Sequence, residues 1–103
     1  MSVDATTADL VQAALAGNRD AFGSLVESHW DRLVRLARSV VGDAEAEDVV
    51  QDSLVVAWTR LAGLSDPRRF GAWVSRIVFR RCLRASHRQR GRVALEAIPE
   101  PSR

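Results

Sequence analysis

Apolar residues recur at three- and four-residue steps along most of this chain, and that spacing restricts it to one fold class. The stretch from Phe22 to Val40 shows the spacing most clearly, and two further stretches repeat it. Strand-like alternation is absent from the sequence. Gly17, Gly42 and Gly63 stand where such helices should end. The sequence therefore predicts an all-α fold, a compact bundle of about four helices, within residues 1–90.

Capping residues give the expected helix boundaries. Thr7 should cap a short first helix, and Asp20 should cap a long second one. A third helix follows, and Pro67 is placed to open a fourth helix that runs to about residue 89. Two prolines in the closing IPEPSR motif indicate that residues 91–103 begin an interdomain linker.

The charge of the chain is divided unevenly. Residues 1–66 contain five arginines and eleven acids, a net charge of −6, whereas residues 67–103 contain ten arginines and two acids, a net charge of +8. All basic residues are arginine, whose planar guanidinium matches phosphate and base edges. This asymmetry predicts two different partners, with nucleic acid as the partner of the basic part.

Several classes of protein are disfavoured by what the sequence lacks. No apolar run is long enough to insert in a membrane, and no secretory signal is recognisable at the start. Cys82 is the only cysteine, which fits a reduced, cytoplasmic location and a buried apolar role. His29 and His87 do not have metal-ligand spacing, so no metal or other cofactor is expected. Because no acid–base or nucleophile constellation is present, a binding protein is favoured over a small helical enzyme.

The third helix has two distinct sides within the stretch AEDVVQDSLVVAW. Its apolar stripe, which should face the core, consists of Val50, Leu54, Ala57, Trp58 and Leu61. Asp48, Asp52 and Val55 lie on the opposite side, with Gln51 at its margin. Such a face is either ordinary solvated surface or a partner-binding surface, and the apolar residue among the acids favours the second interpretation.

The stretch AEDVVQDSLVVAWTRL, followed by FGAWVSRIVFRRCLR, resembles region 2 of bacterial sigma factors of the extracytoplasmic-function (ECF) group. The resemblance covers about residues 20–90. In that family a D-x-x-Q-[D/E] signature, matched here by Asp48, Gln51 and Asp52, lies on the helix that docks on the β′ clamp helices of RNA polymerase core. The resemblance implies a polymerase-binding face formed by Asp48, Gln51, Asp52 and Val55.

The fourth helix combines apolar and cationic residues on one face. Phe70, Trp73 and Ile77 are expected to form its core stripe, and the stripe continues as Arg81, Arg84 and Arg88, which favours contact with nucleic acid. In the resembling family this helix contacts the promoter −10 element, and the preceding loop captures a base flipped from the non-template strand. The resemblance implies these DNA-binding residues: Leu64, Ser65, Asp66, Arg68, Arg69, Arg76, Arg80, Arg81, Arg84 and Arg88.

Two positions depart from the family pattern. Arg80 stands where the family usually has Asn, and Arg84 stands where it often has Asp. The family Asn is tied to −10 recognition, so the preferred −10 sequence is left open. An anti-sigma factor is a further expected partner, and region 4 has no counterpart in this sequence. The alternative function is a degenerate sigma-like protein-interaction module that binds an anti-sigma factor without promoter recognition.

Overall fold

The computed structural model describes residues 3–97, with side chains described for residues 6–92. The described part contains four α-helices and two short 3-10 turns, and it contains no strand. The predicted all-α bundle is confirmed. The helices and turns are α1 (Val3–Leu15), α2 (Arg19–Val41), α3 (Asp43–Thr59), a turn at Leu61–Gly63, a second turn at Pro67–Arg69, and α4 (Phe70–Ala97).

Glycine ends two of the helices as predicted, whereas both expected N-caps were wrong. Gly17 and Gly42 have φ angles of 99° and 84°, a conformation that other residues rarely adopt. Helix α1 already begins at Val3, so Thr7 lies within it. Helix α2 is capped by Asn18, whose side chain accepts a hydrogen bond from the Ala21 backbone N–H at 3.1 Å. Asp20 instead lies in the first turn, where a negative charge favours the helix dipole.

The core forms where α2, α3 and α4 face one another. The Phe22 ring near the start of α2 lies 5.0 Å from the Trp58 ring at the end of α3, so these two helices run antiparallel. The Phe70 ring at the start of α4 lies 6.2 Å from the Phe22 ring. Val50, Leu54, Ala57 and Leu61 are buried, as the stripe on the third helix predicted. The tryptophans Trp30, Trp58 and Trp73 are half-buried and pack against this core.

The core-facing side of α4 is displaced from the predicted one. Trp73 and Ile77 are only half-buried, whereas Val74, Val78 and Cys82 are fully buried. Small side chains fit between closely packed helices, so the large ones lie at the edges of the contact. The prediction of a buried Cys82 is confirmed, and burial raises the pKa of its thiol.

Helix α4 also runs further than predicted. It continues past residue 89 to Ala97, while its last buried described side chains are those of Ala85 and Ser86. After Ser86 the described side chains, up to residue 92, are exposed or half-buried. The domain boundary near residue 90 stays a prediction, and residues 98–103 lie outside the described part. No helix in the described range has the length and apolar character needed to cross a bilayer.

Candidate functional site

The polymerase-binding residues predicted on the third helix share one exposed face of α3. Asp48, Gln51, Asp52 and Val55 are all exposed, because the opposite side of the helix is buried in the core. Val55 is 66% exposed, the largest value among the large apolar residues whose side chains are described. An apolar side chain between carboxylates suits a protein partner better than water alone. We call Asp48, Gln51, Asp52 and Val55 the acidic face.

The carboxylates of the acidic face are not engaged by the protein's own cations. In the described residues the ion pairs are Arg38–Asp43, at 3.4 Å, and Arg68–Asp66, at 3.2 Å. Neither pair includes Asp48 or Asp52. Both carboxylates are therefore exposed and free to receive a cationic partner.

A cleft of about 300 Å³ lies between the loop after α3 and the first turns of α4. Leu64 is buried and anchors the loop in the core, whereas Ser65 next to it is exposed. The half-buried Trp73 forms an aromatic part of the cleft, and Arg69 and Arg76 supply positive charge. An aromatic wall with hydrogen-bonding groups nearby is what a flipped base requires. The complete lining is Gly63, Leu64, Ser65, Asp66, Arg69, Ala72, Trp73 and Arg76.

Asp66 holds the loop in shape at the edge of this cleft. Its carboxylate accepts hydrogen bonds from the Arg68 backbone N–H at 3.1 Å and from the Arg68 guanidinium at 3.2 Å. The hydrogen bond from the Arg68 side chain contributes most to lowering the pKa of Asp66 below its usual value, followed by the bond from the Arg68 backbone N–H. The Asp66 carboxylate thereby orients Arg68 on the outside of the loop.

The arginines predicted on the fourth helix form a second site beside the acidic face. Arg80, Arg84 and Arg88 are exposed and Arg81 is half-buried, all on the part of α4 next to α3. Their side chains have no ion pair or hydrogen bond within the described part of the chain. The cations are thus available to an external anion.

The structure also adds residues that the sequence alone did not assign to a site. Trp73 was expected mainly in the core, yet it lines the 300 Å³ cleft together with Gly63 and Ala72. Helical spacing from Arg69 to Trp73 and Arg76 was a usable signal for this shared side. Arg60 joins the arginines of α4 from the end of α3, and no sequence signal indicated this contact between helices.

Comparison with known proteins places the chain in a family. The family model for Sigma-70 region 2 matches residues 25–92. The chain is 44% identical over 69 residues to RNA polymerase sigma factor CnrH of Cupriavidus metallidurans, covering 66% of this chain and 36% of CnrH. It is 36% identical over 90 residues to ECF RNA polymerase sigma factor BldN of Streptomyces coelicolor, covering 85% of this chain and 33% of BldN.

A further relative is ECF RNA polymerase sigma factor SigM of Mycobacterium tuberculosis, 34% identical over 79 residues, with 76% of this chain and 40% of SigM covered. The chain therefore spans roughly a third of the length of these relatives. No solved structure matches it significantly. The relatives are sigma factors, which initiate transcription and are not enzymes, in agreement with the predicted binding function. The chain belongs to the sigma-70 region 2 family, within its ECF group.

Proposed function

We propose that this chain is the region 2 module of an ECF sigma factor and acts in transcription initiation in the cytoplasm. In this proposal the acidic face docks on the β′ clamp helices of RNA polymerase core. The loop after α3 and the basic side of α4 bind the non-template strand of the promoter −10 element and help to open the duplex.

The observation that carries this proposal is the presence of two oppositely charged surfaces that adjoin at Asp52. The acidic face has an exposed apolar centre at Val55, whereas the cleft and the adjacent side of α4 are bordered by arginine. A protein partner suits the first surface and a polyanion suits the second. Family membership supports the same assignment of partners.

In the DNA part of this proposal, a flipped base enters the 300 Å³ cleft and stacks on Trp73. Ser65 and the loop backbone are placed to hydrogen-bond its edge, and Arg69 and Arg76 lie beside the phosphates that flank it. Flipping costs a few kcal/mol, which these contacts offset. Arg68, oriented by Asp66, contacts the backbone from the outside of the loop.

Two binding measurements test the proposal with the full chain. Pull-down with core polymerase should retain the chain, and fluorescence anisotropy should show tighter binding to a single-stranded −10 sequence than to a scrambled strand. Absence of polymerase retention would refute the docking assignment. Because the preferred −10 sequence is open, the −10 strand should be selected from a randomised pool before the scrambled comparison.

A second function is favoured by one specific feature, the presence of Arg80 and Arg84 at positions where the family has other residues. In this alternative the chain is a protein-interaction module that binds an anti-sigma factor and reads no promoter. The anisotropy measurement separates the two, because a pure interaction module would show no preference among strands selected from the pool. An anti-sigma factor remains a proposed partner in both cases.

A further inference from the structure

Three aromatic rings connect helix α2 to the 300 Å³ cleft. The His29 ring on α2 lies 5.2 Å from the Phe70 ring, measured between centroids, with an angle of 69° between the ring planes. The Phe70 ring in turn lies 6.0 Å from the Trp73 ring. Trp73 lines the 300 Å³ cleft, whereas His29 lines a different cleft, of about 320 Å³, between α1 and α2. A link from His29 to the 300 Å³ cleft therefore runs through Phe70.

Helix α2 holds the His29 ring in one orientation. Its Nδ1 atom lies 2.7 Å from the carbonyl oxygen of Leu25, one turn earlier on α2. Because a carbonyl oxygen can only accept a hydrogen bond, Nδ1 is the donor and carries the proton. Leu25 is buried in the core, so this bond ties the ring to a closely packed part of α2. The imidazole is therefore a fixed spacer between helices.

The start of α4 lies against this fixed ring. A Cβ at Gly71 would be 3.1 Å from His29 Nε2, which is tighter than most such contacts, so the backbone of α4 and the imidazole are close neighbours. Glycine permits this approach because it has no Cβ. Phe70, the preceding residue, is fully buried. His29 thus sets the distance between α2 and the first turn of α4.

That distance also determines where one wall of the 300 Å³ cleft lies. Trp73 is in the first turns of α4, whereas Ser65 on the facing wall belongs to the loop. A shift of the start of α4 would therefore move Trp73 relative to the loop. Binding sites need their contact residues held to within about 0.5 Å by supporting residues. A base that stacks on Trp73 is sensitive to such a shift.

We propose that His29 is a positioning residue for the 300 Å³ cleft. Its ring fixes the place of Trp73 through Phe70 and Gly71, and thereby sets the affinity for a captured base. The proposal rests on base capture in the proposed function. A residue in this role touches no nucleotide itself. Its loss should weaken the binding of a strand that offers the base and should leave the binding of the strand backbone unchanged.

The first test compares strands with and without the captured base, using the full chain. A −10 strand selected from the pool is scanned with single abasic sites, and the site that weakens binding most in anisotropy marks the captured base. In wild type this loss should be at least about fivefold, as expected when one stacked base is removed. His29→Asn should reduce the loss to below about twofold, because Asn can keep the hydrogen bond to the Leu25 carbonyl but lacks the ring. Its binding of the abasic strand should match that of wild type.

Val50→Ala is the control for a loss of stability alone. Val50 is fully buried on α3 and is not one of the three rings that lead to the cleft. The variant should lower the urea midpoint at least as much as His29→Asn does, because it leaves a cavity in the core. It should keep the full effect of the captured base. If Val50→Ala abolished that effect as well, His29 would act only through stability, and the proposal would be overturned.

A second measurement follows Trp73 without any DNA. The indole N–H signals of Trp30, Trp58 and Trp73 are separated by proton–nitrogen correlation NMR and assigned with Trp→Phe variants. His29→Asn should move the Trp73 signal further than Val50→Ala does. Gly71→Ala, which presses on the same contact from α4, should also move it. A Trp73 signal that stays in place in both variants would contradict the positioning role.

The outcomes separate the role of His29 from the proposed function. A base effect that survives His29→Asn would refute the role of His29 and would leave base capture standing. The absence of any abasic-sensitive position in wild type would refute base capture. In that case a Trp73 signal that moves in His29→Asn would still support the positioning of the cleft wall, and an unmoved signal would overturn it.

Discussion

Helices α3 and α4 bury one side each, but they differ in what they expose on the other. The exposed side of α3 carries the exposed Val55 among the polar groups of Asp48, Gln51 and Asp52. The exposed side of α4 instead borders three clefts, each containing at least two arginines. An exposed helix face with an apolar centre can pack against another helix, whereas clefts bordered by arginine suit a polyanion.

The comparison also shows how two charged surfaces coexist in a small domain. Asp52 and Arg81 face each other across the α3–α4 boundary without forming an ion pair. Under the proposed function, an internal ion pair between these charges would occupy groups that both partners need.

The largest expected effect is a loss of stability when a side chain on the buried side of α4 is removed. Phe70→Ala should lower the free energy of unfolding by roughly 3–5 kcal/mol, because Phe70 is fully buried against Phe22 and His29. Trp73→Ala should cost less stability, because Trp73 is half-buried, and should weaken −10 strand binding by removing a stacking surface worth about 1–3 kcal/mol. Urea unfolding and anisotropy measure the two effects. Equal losses of stability would place Trp73 in the core rather than in the cleft.

The next largest expected effect is a loss of polymerase binding when the exposed side of α3 is altered and the core is left intact. Asp52→Arg should weaken binding to core polymerase by about 100-fold, because it places a like charge against a cationic partner. Its melting temperature should stay near that of wild type, since Asp52 is exposed. Glu47→Arg is the matched control on the same helix and should retain binding. A fall in melting temperature large enough to account for the lost binding would instead make Asp52 a structural residue.

A smaller effect tests how rigidly α4 is held against α2. A Cβ at Gly71 would lie 3.1 Å from His29 Nε2, and the His29 ring is fixed by a 2.7 Å hydrogen bond between Nδ1 and the Leu25 carbonyl. Gly71→Ala should therefore destabilise the protein, although alanine normally gains about 1 kcal/mol over glycine in a helix. In a His29→Ala background, Gly71→Ala should instead raise the free energy of unfolding. Stabilisation by Gly71→Ala alone would show that His29 moves aside readily.

The smallest effect concerns pH and the buried side of α4. Burial raises the pKa of Cys82, whose ordinary value is 9.0, because the thiolate is disfavoured away from water. Stability should be complete below that value and should decline as the pH rises above it. The chain has no Lys or Tyr to obscure this titration. The urea midpoint of the wild type should be lower at pH 10 than at pH 8. The midpoint of Cys82→Ala should change less between the two pH values. Equal declines would place Cys82 in contact with water.

Sequence reasoning predicted the buried and exposed residues correctly where they depend on the periodicity of a single helix. On α3 the apolar stripe and the acids lie on opposite sides, so periodicity alone predicted which were exposed. On α4 the same method misplaced the core by one residue, because the choice between Trp73 and Val74 depends on how closely the neighbouring helices approach. Local competition among capping residues selected Asn18 over Asp20.

The cleft between α3 and α4 that is lined by arginines from both sides could not be predicted from the sequence for a similar reason. Arg60 and Arg80 are twenty positions apart, and only the pairing of α3 with α4 brings them to one cleft. The 300 Å³ cleft likewise requires the loop to fold back over the start of α4. Individual residues of both sites were predicted, but their common lining was not.

The assignment of the two adjoining surfaces to different partners is tested most directly by offering both partners at once. Wild-type chain saturated with a fragment of the β′ clamp helices should bind the selected −10 strand with equal or somewhat higher affinity, measured by anisotropy. Displacement of one partner by the other would contradict the account, because it would mean that the acidic face and the basic side of α4 form a single overlapping site.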